Sequence, residues 1–257
     1  MTVPARRVAL IAVGIVAGVA VLGAGAYSVA AATGLVRGPQ PAFPPPLAEK
    51  IAAAPAPPSA AATTASAPVV VAIGDSIMSG HGLDPAQAWP ALLAADSGWQ
   101  LSNLAADGAG FVTPGDDGST FQAQVDAAVQ LKPSVVVISA SSNDLGQGDL
   151  AAGQATLAAL ESLRSALPQA QIVGVSAFWG DEAPPEQLGR LNADLQASVL
   201  AVGGDYLDIG QPLADQANLM QDDDVHPTEV GQQQLAAVIG PQLDAVLAGA
   251  PASPGVR

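Results

Sequence analysis

Cysteine is absent from this 257-residue chain. Its absence excludes a disulfide framework, a thiolate nucleophile and any metal site built on thiolates. Basic residues are scarce where the chain looks globular. Arg6, Arg7, Arg37 and Lys50 precede Pro68 and Arg257 ends the chain, leaving Lys132, Arg164 and Arg190 between Pro68 and Gly249. Every acidic residue but Glu49 lies in that same stretch. A surface of that sign repels nucleic acid and anionic lipid, so nucleic-acid binding is excluded, and it favours solubility. Histidine is limited to His81 and His226, so any imidazole chemistry must use one of these two. The Gly-rich stretch from Gly108 to Gly118 lacks the Lys-Ser/Thr ending of a phosphate-binding loop. Asp222, Asp223 and Asp224 lack calcium-loop spacing, and no metal or cofactor is implied.

The first residues are apolar. Arg6 and Arg7 precede a run from Val8 to Ala32. A secretory signal carries an apolar core of about 7–15 residues and a spanning helix needs roughly 20, so length favours a retained membrane anchor. The leading positive charge places the N-terminus in the cytoplasm and the remainder outside. Ser28-Val29-Ala30 offers an alternative, cleavage by a signal peptidase and secretion. Residues 38–67, dense in Pro and Ala, cannot bury enough apolar surface to fold and read as an extended linker. The expected organisation is an anchor or signal over 1–37, that linker, one globular domain over 68–249, and a flexible tail over 250–257.

Between Pro68 and Gly249, apolar β-branched runs alternate with segments of helical period. Val69–Ile73, Trp99–Leu104, Val135–Ile138, Gln171–Val175 and Tyr206–Ile209 read as strands. Gln87–Ala95, Ser119–Leu131, the stripe Leu157, Leu160, Leu163 and Leu167, a segment opened by Pro184-Pro185, and Glu229–Leu247 read as helices. Continuous apolar strands separated by helices imply a parallel sheet covered on both faces, a three-layer α/β/α sandwich of five strands. Ligands in such sheets bind beyond the carboxyl ends of the strands. The residues there are Gly74-Asp75-Ser76, a loop from Asn103 to Gly110 containing Gly108, Ser141-Ser142-Asn143-Asp144 and, near the end, Asp223-Asp224-Val225-His226-Pro227-Thr228.

Those four blocks, in that order, resemble the SGNH hydrolases, the GDSL-like esterase and lipase superfamily. The resemblance covers residues 69 to 248 and extends to Trp89-Pro90 and Gly231. It implies a flavodoxin-like SGNH hydrolase fold and a serine esterase. Ser76 would be the nucleophile, His226 its general base and later acid, and Asp223 the group that orients the imidazole. The Ser76 and Gly108 N–H groups and the Asn143 side chain would form the oxyanion hole. The family's third block usually reads Gly-x-Asn-Asp, whereas Ser141 stands at the glycine here, which bears on substrate fit more than on chemistry. Asp75 reads as structural, His81 as an exposed loop residue with pocket lining as the alternative, and Phe178-Trp179 as pocket wall or packing. The expected substrate is a small-molecule acyl ester or acylated glycan with a short, acetyl-like acyl group. A lipase, lysophospholipase or thioesterase on the same triad, acyl transfer to another alcohol, and a non-catalytic envelope-binding module are the competing readings.

Overall fold

Val69–Ile73 (β1), Gln100–Asn103 (β2), Val135–Ser139 (β3), Gln171–Val175 (β4) and Asp205–Leu207 (β5) are the strands of the computed structural model, which describes residues 67–249. The expected anchor, the linker before Ala67 and the C-terminal tail lie outside the described residues. Among the described residues no helix is long and apolar enough to cross a membrane. The five strands pair in parallel in the order β2-β1-β3-β4-β5. All five residues of β3 are buried, because a parallel strand covered on both faces exposes neither set of its alternating side chains.

The helices are Ser76–Ser79 (α1), Trp89–Ser97 (α2), Phe121–Leu131 (α3), Asp149–Ala166 (α4), Glu186–Ala201 (α5) and Glu229–Leu247 (α6). Side-chain alternation along each strand sorts them into two layers. Val71, Ile73, Val136, Ile138 and Ile172 pack with Phe121 and Val125 of α3, Leu160 and Leu163 of α4, and Leu195 of α5. Val70, Val137 and Val173 face the other way, onto Trp89 and Leu93 of α2 and Leu235, Ile239 and Leu243 of α6. Cutting a fully buried leucine such as Leu163 to alanine costs about 2–5 kcal/mol in a core of this kind.

One expected helix face and two expected boundaries shift for local reasons. Leu157 is 38% exposed. The buried stripe of α4 runs Ala152, Thr156, Ala159, Leu160 and Leu163, and Leu157 falls outside that arc. Helix α3 begins at Phe121, two residues later than expected, after Thr120, whose side chain makes no capping bond. Strand β5 stops at Leu207 because the Asp208 carboxylate accepts from the Gly210 N–H and turns the chain.

The strand order places the site. From β1 the chain first adds β2 on one side and then crosses to β3 on the other. The loops leaving β1 and β3 therefore diverge, opening a crevice at the carboxyl end of the sheet.

Candidate active site

Ser76 owes its position to two residues before it. A Cβ on Gly74 would lie 2.7 Å from Met78 Sδ and 2.9 Å from Ser139 Oγ, so only glycine lets β1 turn this tightly into α1. The buried Gln124 side chain clamps that turn, accepting from the Gly74 N–H and donating to its carbonyl, each at 2.9 Å. Asp75 then caps α1 through the Ile77 N–H at 3.0 Å and receives the Ser141 hydroxyl on its other oxygen at 2.7 Å. This is the structural role expected of Asp75. Burial pushes its carboxyl above the usual range, and the bonds from Ser141 and Ile77 oppose that push.

The base arrives on the segment from Leu219 to Thr228. Met220 bridges Pro227 in antiparallel fashion. The Gln221 N–H donates to the His226 carbonyl at 2.7 Å and the Thr228 N–H to the Leu219 carbonyl at 2.8 Å. Gly231 makes this possible, since a Cβ there would meet the Leu219 carbonyl oxygen at 2.4 Å. Asp223 accepts from the Val225 and His226 N–H groups on one oxygen, both at 3.0 Å, and holds His226 Nδ1 at 2.7 Å on the other. The bond from His226, followed by the two backbone N–H groups, keeps its carboxyl well below the usual carboxylate range. An ionised Asp223 fixes the proton of neutral His226 on Nδ1 and leaves Nε2 as the acceptor. Nε2 lies 2.9 Å from Ser76 Oγ. The three residues thus form a continuous Asp-His-Ser relay with the hydroxyl proton directed at a free lone pair.

The expected oxyanion donors sit on the loops after β1, β2 and β3, at one end of the sheet. Ser76 opens α1, so its N–H has no acceptor within the helix. Gly108 has φ of 74°, a left-handed conformation that glycine adopts without penalty. Asn143 Nδ2 donates to the Ala109 carbonyl at 3.0 Å, which uses one amide hydrogen and leaves the second for a substrate oxygen. Asp144 fixes the neighbouring loop by accepting from the N–H groups of Phe111, Val112 and Thr113. Ser141, the residue in the glycine's place, is part of this frame. Its hydroxyl also lies 2.9 Å from the Ala109 carbonyl and accepts from the Asn143 N–H at 3.1 Å.

The His81 side chain is 41% exposed, as expected, yet its ring stacks on His226 with centroids 4.1 Å apart. Its Nδ1 lies 2.5 Å from one Asp107 oxygen, and the Ser79 hydroxyl donates to the other at 2.6 Å. Sequence reasoning passed over Asp107, and also Gln124, Gln221 and Gln232, because a lone polar residue carries no spacing signal. Gln221 Nε2 ties the carbonyls of His81 and Pro227 together. Gln232 Nε2 donates to the Ile77 carbonyl while its Oε1 accepts from the Trp89 N–H. His81, Asp223 and His226 bring possible ligand atoms within 4.8 Å of one another, but both Nδ1 atoms hold carboxylates and His226 Nε2 holds Ser76, so these atoms are already committed to hydrogen bonds. Phe178 and Trp179 line a hollow of about 50 Å³ with Ile77, Ser142 and Val225.

Comparison with known proteins agrees with this geometry. The model of the GDSL-like Lipase/Acylhydrolase family matches residues 72–234. The GDSL lipase Rv0518 of Mycobacterium tuberculosis is 29% identical over 195 residues, covering 70% of this chain and 83% of that protein. Among solved structures, the fold is shared with the psychrotrophic esterase EstA from Pseudoalteromonas sp., at a TM-score of 0.58 and 18% identity over 70% of this chain and 99% of that one. It is shared equally with a family two carbohydrate esterase from Cellvibrio japonicus, at 0.57 and 16% over 72% and 63%. With that family's model spanning the relay from Ser76 to His226, the chain belongs to the GDSL-like lipase/acylhydrolase family and is a carboxylic ester hydrolase.

Proposed function

We propose that the protein is a serine esterase that removes short acyl groups, such as acetyl, through an acyl-enzyme intermediate, and that it works outside the cytoplasm. The observation that carries the chemistry is the unbroken relay from Asp223 through His226 to Ser76. Ser76 Oγ attacks the acyl carbon as His226 Nε2 takes its proton. Asp223 stabilises the imidazolium, and the Ser76 N–H, Gly108 N–H and Asn143 amide receive the oxyanion. His226 then protonates the departing alcohol as the acyl–oxygen bond breaks. Water repeats the cycle on the acyl-serine and releases the carboxylic acid.

The hollow that Ile77, the residue after Ser76, lines with Phe178 is small, about 50 Å³, and supports a short acyl group. The apolar run after Arg6 and Arg7 supports the location, and with it an acylated envelope glycan or small acyl ester as substrate. Hydrolysis of p-nitrophenyl acetate and of its octanoate and palmitate counterparts by the full chain, beside Ser76→Ala, tests the reading. Expected are a preference for acetate and loss of turnover in the variant. Faster cleavage of the long chains would replace it with a lipase reading, and full activity in Ser76→Ala would remove the triad from the reaction.

A further inference from the structure

Both histidines of the chain meet at one place. Gly80 and Gly82, with φ of 80° and 76°, flank His81. Their left-handed turns carry its ring back over the catalytic loop, and Gln221 Nε2 fixes its carbonyl at 2.8 Å. The result is two Asp-His pairs side by side. Asp223 holds Nδ1 of His226 and Asp107 holds Nδ1 of His81, and the two rings face each other at 4.1 Å with 30° between their planes. The His81 N–H donates to the Ser76 carbonyl at 3.0 Å, but the side chains of the second pair stand outside the Asp223-His226-Ser76 relay, which is complete without them.

We infer that His81, held by Asp107, is a positioning residue for the catalytic imidazole and a proton-operated brake on it. The inference rests on the triad reading above. When Ser76 gives its proton to His226, a cation forms directly beneath the His81 ring. Neutral His81 presents a π face to that cation, which attracts it and holds its plane between Asp223 and Ser76. Protonated His81 instead places a second cation against the first, and at this separation the change of sign lowers the rate by roughly tenfold or more. Among the described residues, the titratable groups that act on His81 are Asp107 and Asp116 from the loop after β2 and Asp223 and His226 from the loop before α6. The hydrogen bond to Asp107 raises the proton affinity of His81 above that of an ordinary imidazole, with partial burial opposing it. The brake is therefore engaged on mild acidification and released as pH rises through the His81 transition.

Two measurements on the full chain test this. The first is the pH dependence of kcat/KM for p-nitrophenyl acetate in the wild type, His81→Phe and Asp107→Asn. The wild-type acid limb is expected to fall more steeply than a slope of one through the His81 transition, where protonation of His81 adds to that of the base. His81→Phe keeps an aromatic face and is expected to show a slope of one. Asp107→Asn is expected to keep the steepened region and to move it to lower pH, because the Asp107 hydrogen bond that raises the His81 proton affinity is weakened. The second is a ¹H–¹⁵N titration of the two imidazoles in the wild type and in Ser76→Ala, in which protonation of one is expected to perturb the other. An acid limb in His81→Phe that superimposes on the wild type's, or two independent titration curves, would overturn the inference. Full activity in Ser76→Ala would instead sink the triad reading, while the imidazole titration would still decide whether the two rings are coupled.

Discussion

Replacing Ser141 by alanine should destabilise the protein in a pH-dependent way, even though the family's usual residue there is smaller still. Ser141 is 2% exposed and Asp75 4% exposed. The hydroxyl is the partner of Asp75 Oδ2, at 2.7 Å. A hydrogen bond to a charged group contributes about 1.5–3 kcal/mol, and the orphaned oxygen is left desolvated. For a domain of this size each kcal/mol moves Tm by about 2–4 °C, so Ser141→Ala should melt about 3–12 °C lower near pH 7.5. Ser141 is extended, at φ −130° and ψ 133°, so glycine has no conformational advantage there. Ser141→Gly should lose about a further 0.5–1 kcal/mol through the freedom it gives the unfolded chain. The sign of the pH effect follows from Asp75, whose carboxyl burial already raises. Removing the hydroxyl raises it further, so the variant's deficit is full where Asp75 is ionised and shrinks as acid protonates it. Thermal melts at pH 7.5 and pH 4.5 check this. A deficit of equal size at both values, or a glycine variant more stable than wild type, would refute the argument.

Asn143→Ala should lower kcat by about 10²–10³-fold with little change in KM, because it removes a donor used in the transition state. Steady-state kinetics on p-nitrophenyl acetate would measure it. Asp223→Asn should cost about 10⁴-fold in kcat by favouring the wrong imidazole tautomer while the fold persists by circular dichroism. Because Asp223 has a lowered carboxyl pKa, it contributes stability that is present above the ordinary carboxylate range and lost as pH falls below about 4. Urea midpoints measured down to pH 3 should fall less steeply in Asp223→Asn than in wild type. Gly231→Ala forces a methyl against the Leu219 carbonyl. Overpacking of this kind costs about 1–3 kcal/mol, and the shifted loop should lower kcat as well as Tm.

The strands and most helices were legible because VVVAI, VVVIS and QIVGV are unbroken apolar runs, and helical spacing is hard to mistake in α6. The boundaries that moved did so where one side chain decides the turn, as Asp208 does after β5. Ser76, Asp223 and His226 were legible as a group because their motifs are local in sequence and unusual together. The scaffold around them was not. Gln124 is 50 residues from Gly74, and Gln232 is 143 from Trp89. Amide clamps of that range leave no periodicity or spacing to read. His81 lies in the exposed turn expected of it, but its stacking on His226 was not legible, because its ring position depends on Asp107, a residue with no motif of its own. Ser141 looked like an exception to a pattern, and its hydroxyl joins three loops that sequence cannot bring together.

The nucleophile and its base are separated by 150 residues. Ser76 opens the short helix that follows the first strand of the sheet, and His226 precedes only the last helix. A chain still emerging from the ribosome or crossing a membrane therefore carries a complete nucleophile loop but no base, and its serine is an ordinary alcohol. Reactivity begins when α6 docks on the layer it shares with α2. Esterase activity is thus a reporter of folding from the first strand to the last helix, and a product truncated before His226 would be chemically silent as well as unstable.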